Sequence, residues 1–84
     1  MKITIKYFSW IRVKLKKGSQ ESDFEKNTSF KTVSKILIKK HPHFKEIFND
    51  SSIKFFLNLN EIEDHEIILK DGDVIALLPP VTGG

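Results

Sequence analysis

Cysteine is absent from the 84 residues, so disulfide frameworks, thiolate metal sites and cysteine nucleophiles are excluded. The same absence favours a cytoplasmic chain. Glycine and proline are scarce, at four and three residues, yet two of each fall within the last six positions. No apolar run approaches the ~20 residues that a membrane-spanning helix needs. Lys2, Lys6, Arg12 and Lys14 interrupt the opening segment and leave no apolar stretch for a signal peptide. The chain reads as a mature, soluble protein. Internal repeats and low-complexity tracts are also missing.

With 39% apolar and 30% charged residues, the composition is that of a globular protein. A mass of 9.7 kDa suffices for one small domain. Such a chain buries only about 60–65% of its unfolded surface, which leaves little room for a deep enzyme pocket. Charge is divided unevenly. Residues 1–45 carry twelve Lys/Arg and three Asp/Glu, a net of +9, whereas residues 46–84 carry two and eight, a net of −6. This polarity could steer a charged partner or simply solvate two faces. The basic residues stand singly or in pairs (Lys16-Lys17, Lys39-Lys40), a spread that does not demand nucleic acid.

Residues 2–8 alternate, with Ile3, Ile5 and Tyr7 on one face, and predict a half-buried strand. Ser9 is placed to cap a short helix, with Ile11 and Leu15 one turn apart and Gly18 ending it. The alternation of Ile11, Val13 and Leu15 leaves a strand continuation open. Residues 19–31 predict a weak second strand. Thr32 then caps the main helix, in which Val33, Ile36 and Leu37 are spaced i, i+3, i+4, Lys39-Lys40 suit the C-terminal dipole, and Pro42 breaks the run. Phe44, Ile47 and Phe48 repeat the helical spacing. Ile53, Phe55, Leu57 and Leu59 alternate as a strand; Asp71-Gly72-Asp73 marks a turn before Val74–Leu78, a continuous apolar run expected to be buried on both faces. The predicted class is α+β: a mixed sheet of four to five strands wrapping one main helix over residues 1–78. That order is the order of a ubiquitin-like β-grasp domain.

Residues 79–84, Pro79-Pro80-Val81-Thr82-Gly83-Gly84, form a predicted extended tail. The prolines end sheet pairing and project the chain outward. Val81-Thr82 favours extended geometry, and Gly83-Gly84 is a flexible end without side chains. Six residues reach at most about 20 Å. A carboxylate to be adenylated and then attacked must pass a narrow channel, where glycine permits close backbone approach.

The run Leu69-Lys70-Asp71-Gly72-Asp73-Val74-Ile75-Ala76-Leu77-Leu78-Pro79-Pro80-Val81-Thr82-Gly83-Gly84 resembles the C-terminus of the molybdopterin synthase small-subunit family, ubiquitin-like sulfur carriers. Lys6-Tyr7-Phe8-Ser9 followed by Ile11-Arg12, Thr32-Val33 and the Asn58–Asn60 segment are similar as well. Residues 19–31 depart, lacking the family's proline-glycine turn before the helix. The resemblance implies that a ubiquitin-activating-type enzyme uses ATP to adenylate the Gly84 carboxylate. A sulfur donor protein then converts it to a thiocarboxylate. The tail next enters the large synthase subunit, in a heterotetramer, and gives sulfur to a cyclic pyranopterin during molybdenum cofactor biosynthesis. This chain would bind no cofactor or metal itself and would leave acid–base chemistry to its partner. By position, Phe8, Ile62 and Leu78, with Arg12 beside them, are similar to the family's docking patch; core packing is the competing reading.

Other signals are weaker. His41, Pro42 and His43, with His65 distant, lack further ligands at metal spacing. Tyr7 and Trp10 suit core or interface. Asp71 and Asp73 suit turn formation. A thiamine-pathway sulfur carrier, a ubiquitin-like modifier joined through Gly84 to lysines, and a small basic RNA-binding domain are the alternative readings.

Overall fold

The computed structural model describes residues 1–80. Five strands form one mixed sheet: β1 (Lys2–Tyr7), β2 (Ser19–Asp23), β3 (Lys54–Leu57), β4 (Asn60–Glu61) and β5 (Val74–Leu78). Their spatial order is β2-β1-β5-β3-β4, with β1 and β5 parallel and the other pairs antiparallel. Three helices, α1 (Ser9–Leu15), α2 (Phe30–Lys40) and α3 (His43–Asn49), complete the fold. The β-grasp arrangement expected from the element order is the one present. No helix among the described residues is long and apolar enough to cross a membrane.

Period-two alternation sorts the strands. Ile3, Ile5 and Tyr7 of β1, Phe55 of β3 and Ile75 and Leu77 of β5 are buried on one face of the sheet. They join Phe30, Val33 and Leu37 of α2, Phe44 and Ile47 of α3, and Ile11 and Leu15 of α1 in one core. Aromatic rings thicken that core, with Phe30 and Phe55 centroids 5.3 Å apart and Phe48 5.3 Å from Phe55. Geometry of this kind adds to area burial.

Three helix boundaries differ from expectation. Ser9 does not cap α1: it sits at φ 56° inside the helix, and Phe8 occupies the cap position with no side-chain hydrogen bond. Lys16, at φ 60°, makes the left-handed exit that glycine was expected to supply at position 18. Its amide finds the Arg12 and Val13 carbonyls, which satisfies the helix end locally. The α2 cap is Ser29 rather than Thr32. Ser29 Oγ accepts from the Thr32 amide at 3.1 Å, so the helix starts one turn earlier and buries Phe30. The 65–69 segment holds that start, because the Phe30 amide donates to the Ile67 carbonyl at 2.9 Å and the Leu69 amide to Thr28 at 3.0 Å.

Two titrating groups are perturbed. The Tyr7 ring is 1% exposed and packs 6.0 Å from Phe44, and its hydroxyl has no hydrogen-bond partner among the described residues. Burial pushes its pKa well above the usual phenol range. Asp50, in the turn after α3, is held below the usual carboxylate range by the Ser52 hydroxyl and amide. A buried unpaired hydroxyl costs about 1–3 kcal/mol. Tyr7→Phe should therefore leave stability equal or raise it by up to about 1 kcal/mol in urea unfolding. A loss above about 1 kcal/mol would show that the hydroxyl is satisfied in the folded protein.

Candidate functional site

The site is built around the exit of β5. This strand is hydrogen-bonded on both edges, to β1 through Tyr7↔Leu77 and to β3 through Lys54↔Leu78. Pairing stops where Pro79 removes the next amide donor. Pro79 is buried and Pro80 exposed, so the chain leaves the sheet at a fixed point. Val81, Thr82, Gly83 and Gly84 lie outside the described residues.

The start of β5 is anchored by the Asp71-Gly72-Asp73 turn, whose glycine lies at φ 87°. Asp71 Oδ1 accepts from the Lys2 amide at 2.7 Å, tying the turn to β1. Asp73 Oδ2 accepts from the Lys70 amide at 2.7 Å, and its Oδ1 accepts from the Asn58 side-chain amide at 2.9 Å. Asn58 Oδ1 in turn accepts from the Val74 amide at 2.9 Å. These carboxylates are turn formers, the role their flanking of glycine predicts.

The Val74–Leu78 run is not buried on both faces. Ile75 and Leu77 enter the core, but Val74, Ala76 and Leu78 are half-buried on the side away from the helices. Among the described residues no second layer covers that side. With Lys6, Phe8, Phe56, Asn58 and Leu59 they line an open, mostly apolar groove of about 600 Å³. An apolar run in a central strand therefore has two destinations here, one the core and one an uncovered face.

The expected docking residues divide. Phe8, 40% exposed, and Leu78 share the groove. Ile62 does not: it is 7% exposed and belongs to the core, its amide donating to the Phe55 carbonyl at 2.7 Å. The competing core reading is the correct one for Ile62, because β4 is only two residues long and the chain turns inward directly after it. Arg12 is exposed and lies against Gly18, where an added Cβ would stand 3.3 Å from its Nε. Gly18 accepts from the Tyr7 amide, so Arg12 lies toward the Tyr7 end of β1, and it does not line the groove. Val74, Ala76, Phe56 and Leu59 were missed. The even-numbered apolar positions of β5 carried the signal, which read equally well as double burial.

The other signals resolve simply. His41 and His43 rings lie 4.9 Å apart, while His65 packs edge-on against Phe30 and Phe55 in another part of the fold. Among the described residues no three His, Cys, Asp or Glu are grouped to hold a metal ion. Trp10 is 37% exposed, with Lys14 Nζ 5.9 Å from its ring centroid.

The profile of the ThiS family matches residues 5–84. The chain belongs to the ThiS family. Its members are ubiquitin-like sulfur carriers. No curated protein matches by sequence. Solved structures do. A chain of the protein–protein complex of subunits 1 and 2 of molybdopterin-converting factor from Helicobacter pylori is 27% identical, with full coverage of both chains and a TM-score of 0.71. The small archaeal modifier protein 1 from Methanosarcina acetivorans is 28% identical, covering 99% of this chain and 96% of that one at a TM-score of 0.78. SAMP1 from Haloferax volcanii, at 21% identity, full coverage of both chains and a TM-score of 0.85, shares the fold. In this ThiS-family member, Asn58 couples the β3–β4 turn to β5 through two side-chain hydrogen bonds. Asn58→Ala should cost about 2 kcal/mol, from those bonds and from placing alanine at a left-handed position. Thermal or urea denaturation measures it, and an unchanged midpoint would refute the coupling.

Proposed function

We propose that this chain is the sulfur-carrying small subunit of molybdopterin synthase. One observation carries the reading: the central strand ends in Pro79-Pro80 beside an uncovered apolar groove, with Val81-Thr82-Gly83-Gly84 following in sequence. Six residues bridge at most about 20 Å, so any subunit that receives the terminal carboxylate must press against this end of the sheet. Phe8 and Leu78 present the apolar contact there, with Lys6 lining the same groove. The likeness to a chain of the two-subunit Helicobacter pylori complex supports a large-subunit partner.

The chemistry belongs to the terminus. A carboxylate is a poor electrophile. An ATP-using, ubiquitin-activating-type enzyme joins AMP to the Gly84 carboxylate and releases pyrophosphate. A sulfur donor displaces AMP and leaves a thiocarboxylate. In the large subunit that sulfur bonds to a cyclic pyranopterin, water cleaves the acyl–sulfur bond to regenerate the carboxylate and leave the sulfur on the pterin, and Gly83 and Gly84 permit passage through a narrow channel. The cytoplasm supplies the ATP. The described residues contribute position and recognition.

Intact-mass measurement on chain purified from its own cells tests this. Replacement of one terminal oxygen by sulfur is the expected result. The likeness to the Methanosarcina modifier favours a second reading, in which Gly84 is joined to lysines of other proteins; isopeptide-linked adducts in the same measurement would establish it. Adding one residue after Gly84 should abolish cofactor synthesis while leaving the melting temperature unchanged. Persistence of activity in an untrimmed extended chain would refute the mechanism. Phe8→Asp should weaken large-subunit binding by at least about ten-fold without unfolding the chain, because it places a charge in the apolar contact.

A further inference from the structure

Leu59 is a residue for which the fold itself offers no reason. It occupies the second position of the Asn58–Leu59 turn joining β3 to β4, at φ 75°, after Asn58 at φ 48°. Two consecutive left-handed residues make the tight hairpin turn that asparagine-glycine serves best. A branched leucine at the glycine position is disfavoured by its backbone. Burial does not compensate, since the side chain is 95% exposed. The turn is nevertheless pinned, with the Asn58 amide donating to the Val74 carbonyl at 2.8 Å and the Asn58 carbonyl accepting from the Asn60 side chain at 3.3 Å. The leucine is thus held out at a defined place, on the rim of the groove that also contains Phe8 and Leu78.

Its place is at the far end from the tail. Val74 lies at the Leu59 end of β5 and Leu78 at the tail end, four residue steps away, or about 13 Å. A partner forced against Leu78 by a short tether, with a footprint of about 800 Å², extends past that distance. We infer that Leu59 is the distal anchor of the docking face, inserted into an apolar socket of the large subunit that receives the tail. The partner is thereby gripped at both ends of the groove, and the tail is aimed along one line. The inference rests on the carrier reading, and its test separates the two.

The measurement is the affinity of the wild-type chain, Leu59→Asn and Leu59→Gly for the large synthase subunit of the same organism, by calorimetry, alongside melting temperatures. Asparagine and glycine accept the left-handed backbone, so both variants should stay folded, and Leu59→Asn should melt no lower than wild type. Both should bind at least about ten-fold more weakly, as expected for loss of a buried apolar anchor. A lowered melting temperature for both variants with unchanged affinity would make Leu59 structural and overturn the inference. Equal affinity of all three overturns it and leaves the carrier reading intact. Self-association of the wild type in sedimentation, abolished by Leu59→Asn with large-subunit binding unaffected, would assign the anchor to a second copy and overturn it too. No binding by the wild type removes the carrier reading and this inference together.

Discussion

Strand β5 is bonded on both edges, and the remaining features of the molecule depend on that double pairing. Parallel contact with β1 spans Val74 to Leu77, and antiparallel contact with β3 spans Ile75 to Leu78. The Asp71-Gly72-Asp73 turn fixes the beginning of the strand, and Pro79 fixes its end. A tether emerging from an edge strand would inherit the fraying of that edge. Emergence from the centre gives the chain that leaves Leu78 a defined origin.

The two faces of the same strand divide the labour. Ile75 and Leu77 contribute to the core shared with α2 and α3, so stability is concentrated on the helix side. Val74, Ala76 and Leu78 leave the other side apolar and open. A chain of this size has too few elements for a second covering layer. Among the described residues that face stays uncovered as the consequence of that economy. Ion pairs add little to the body itself: those between Lys2 and Glu21, Lys31 and Glu66, and Lys54 and Glu61 are exposed and span 3.4–3.9 Å.

Much of the fold was legible in local pattern. Alternation in residues 2–8, the i, i+3, i+4 spacing after residue 32 and the Asp-Gly-Asp turn mark elements that exist where they were expected. Ser29 was harder to see than Thr32 as a cap, because both are hydroxyl residues and only the 65–69 segment selects the earlier start. The strand expected from Ile53 to Leu59 is three residues shorter, Lys54–Leu57: alternation continues through Leu59, but Asn58 and Leu59 turn instead of extending. Ile62 is similar to the docking patch by position alone, with core packing as the competing reading, and its burial decides for the core.

From its sequence alone this protein was determined to be a small cysteine-free α+β domain whose proline-stiffened Gly-Gly ending resembles that of sulfur carriers, since spacing, turn chemistry and terminal residues are local properties. Tertiary structure decided which side of an apolar strand is covered. It also decided that Phe8, Phe56, Leu59 and Leu78 share one groove and that Ile62 does not. Those are questions of which distant segments meet, and a run of apolar residues carries the same periodicity whether its second face meets a helix, a partner or water.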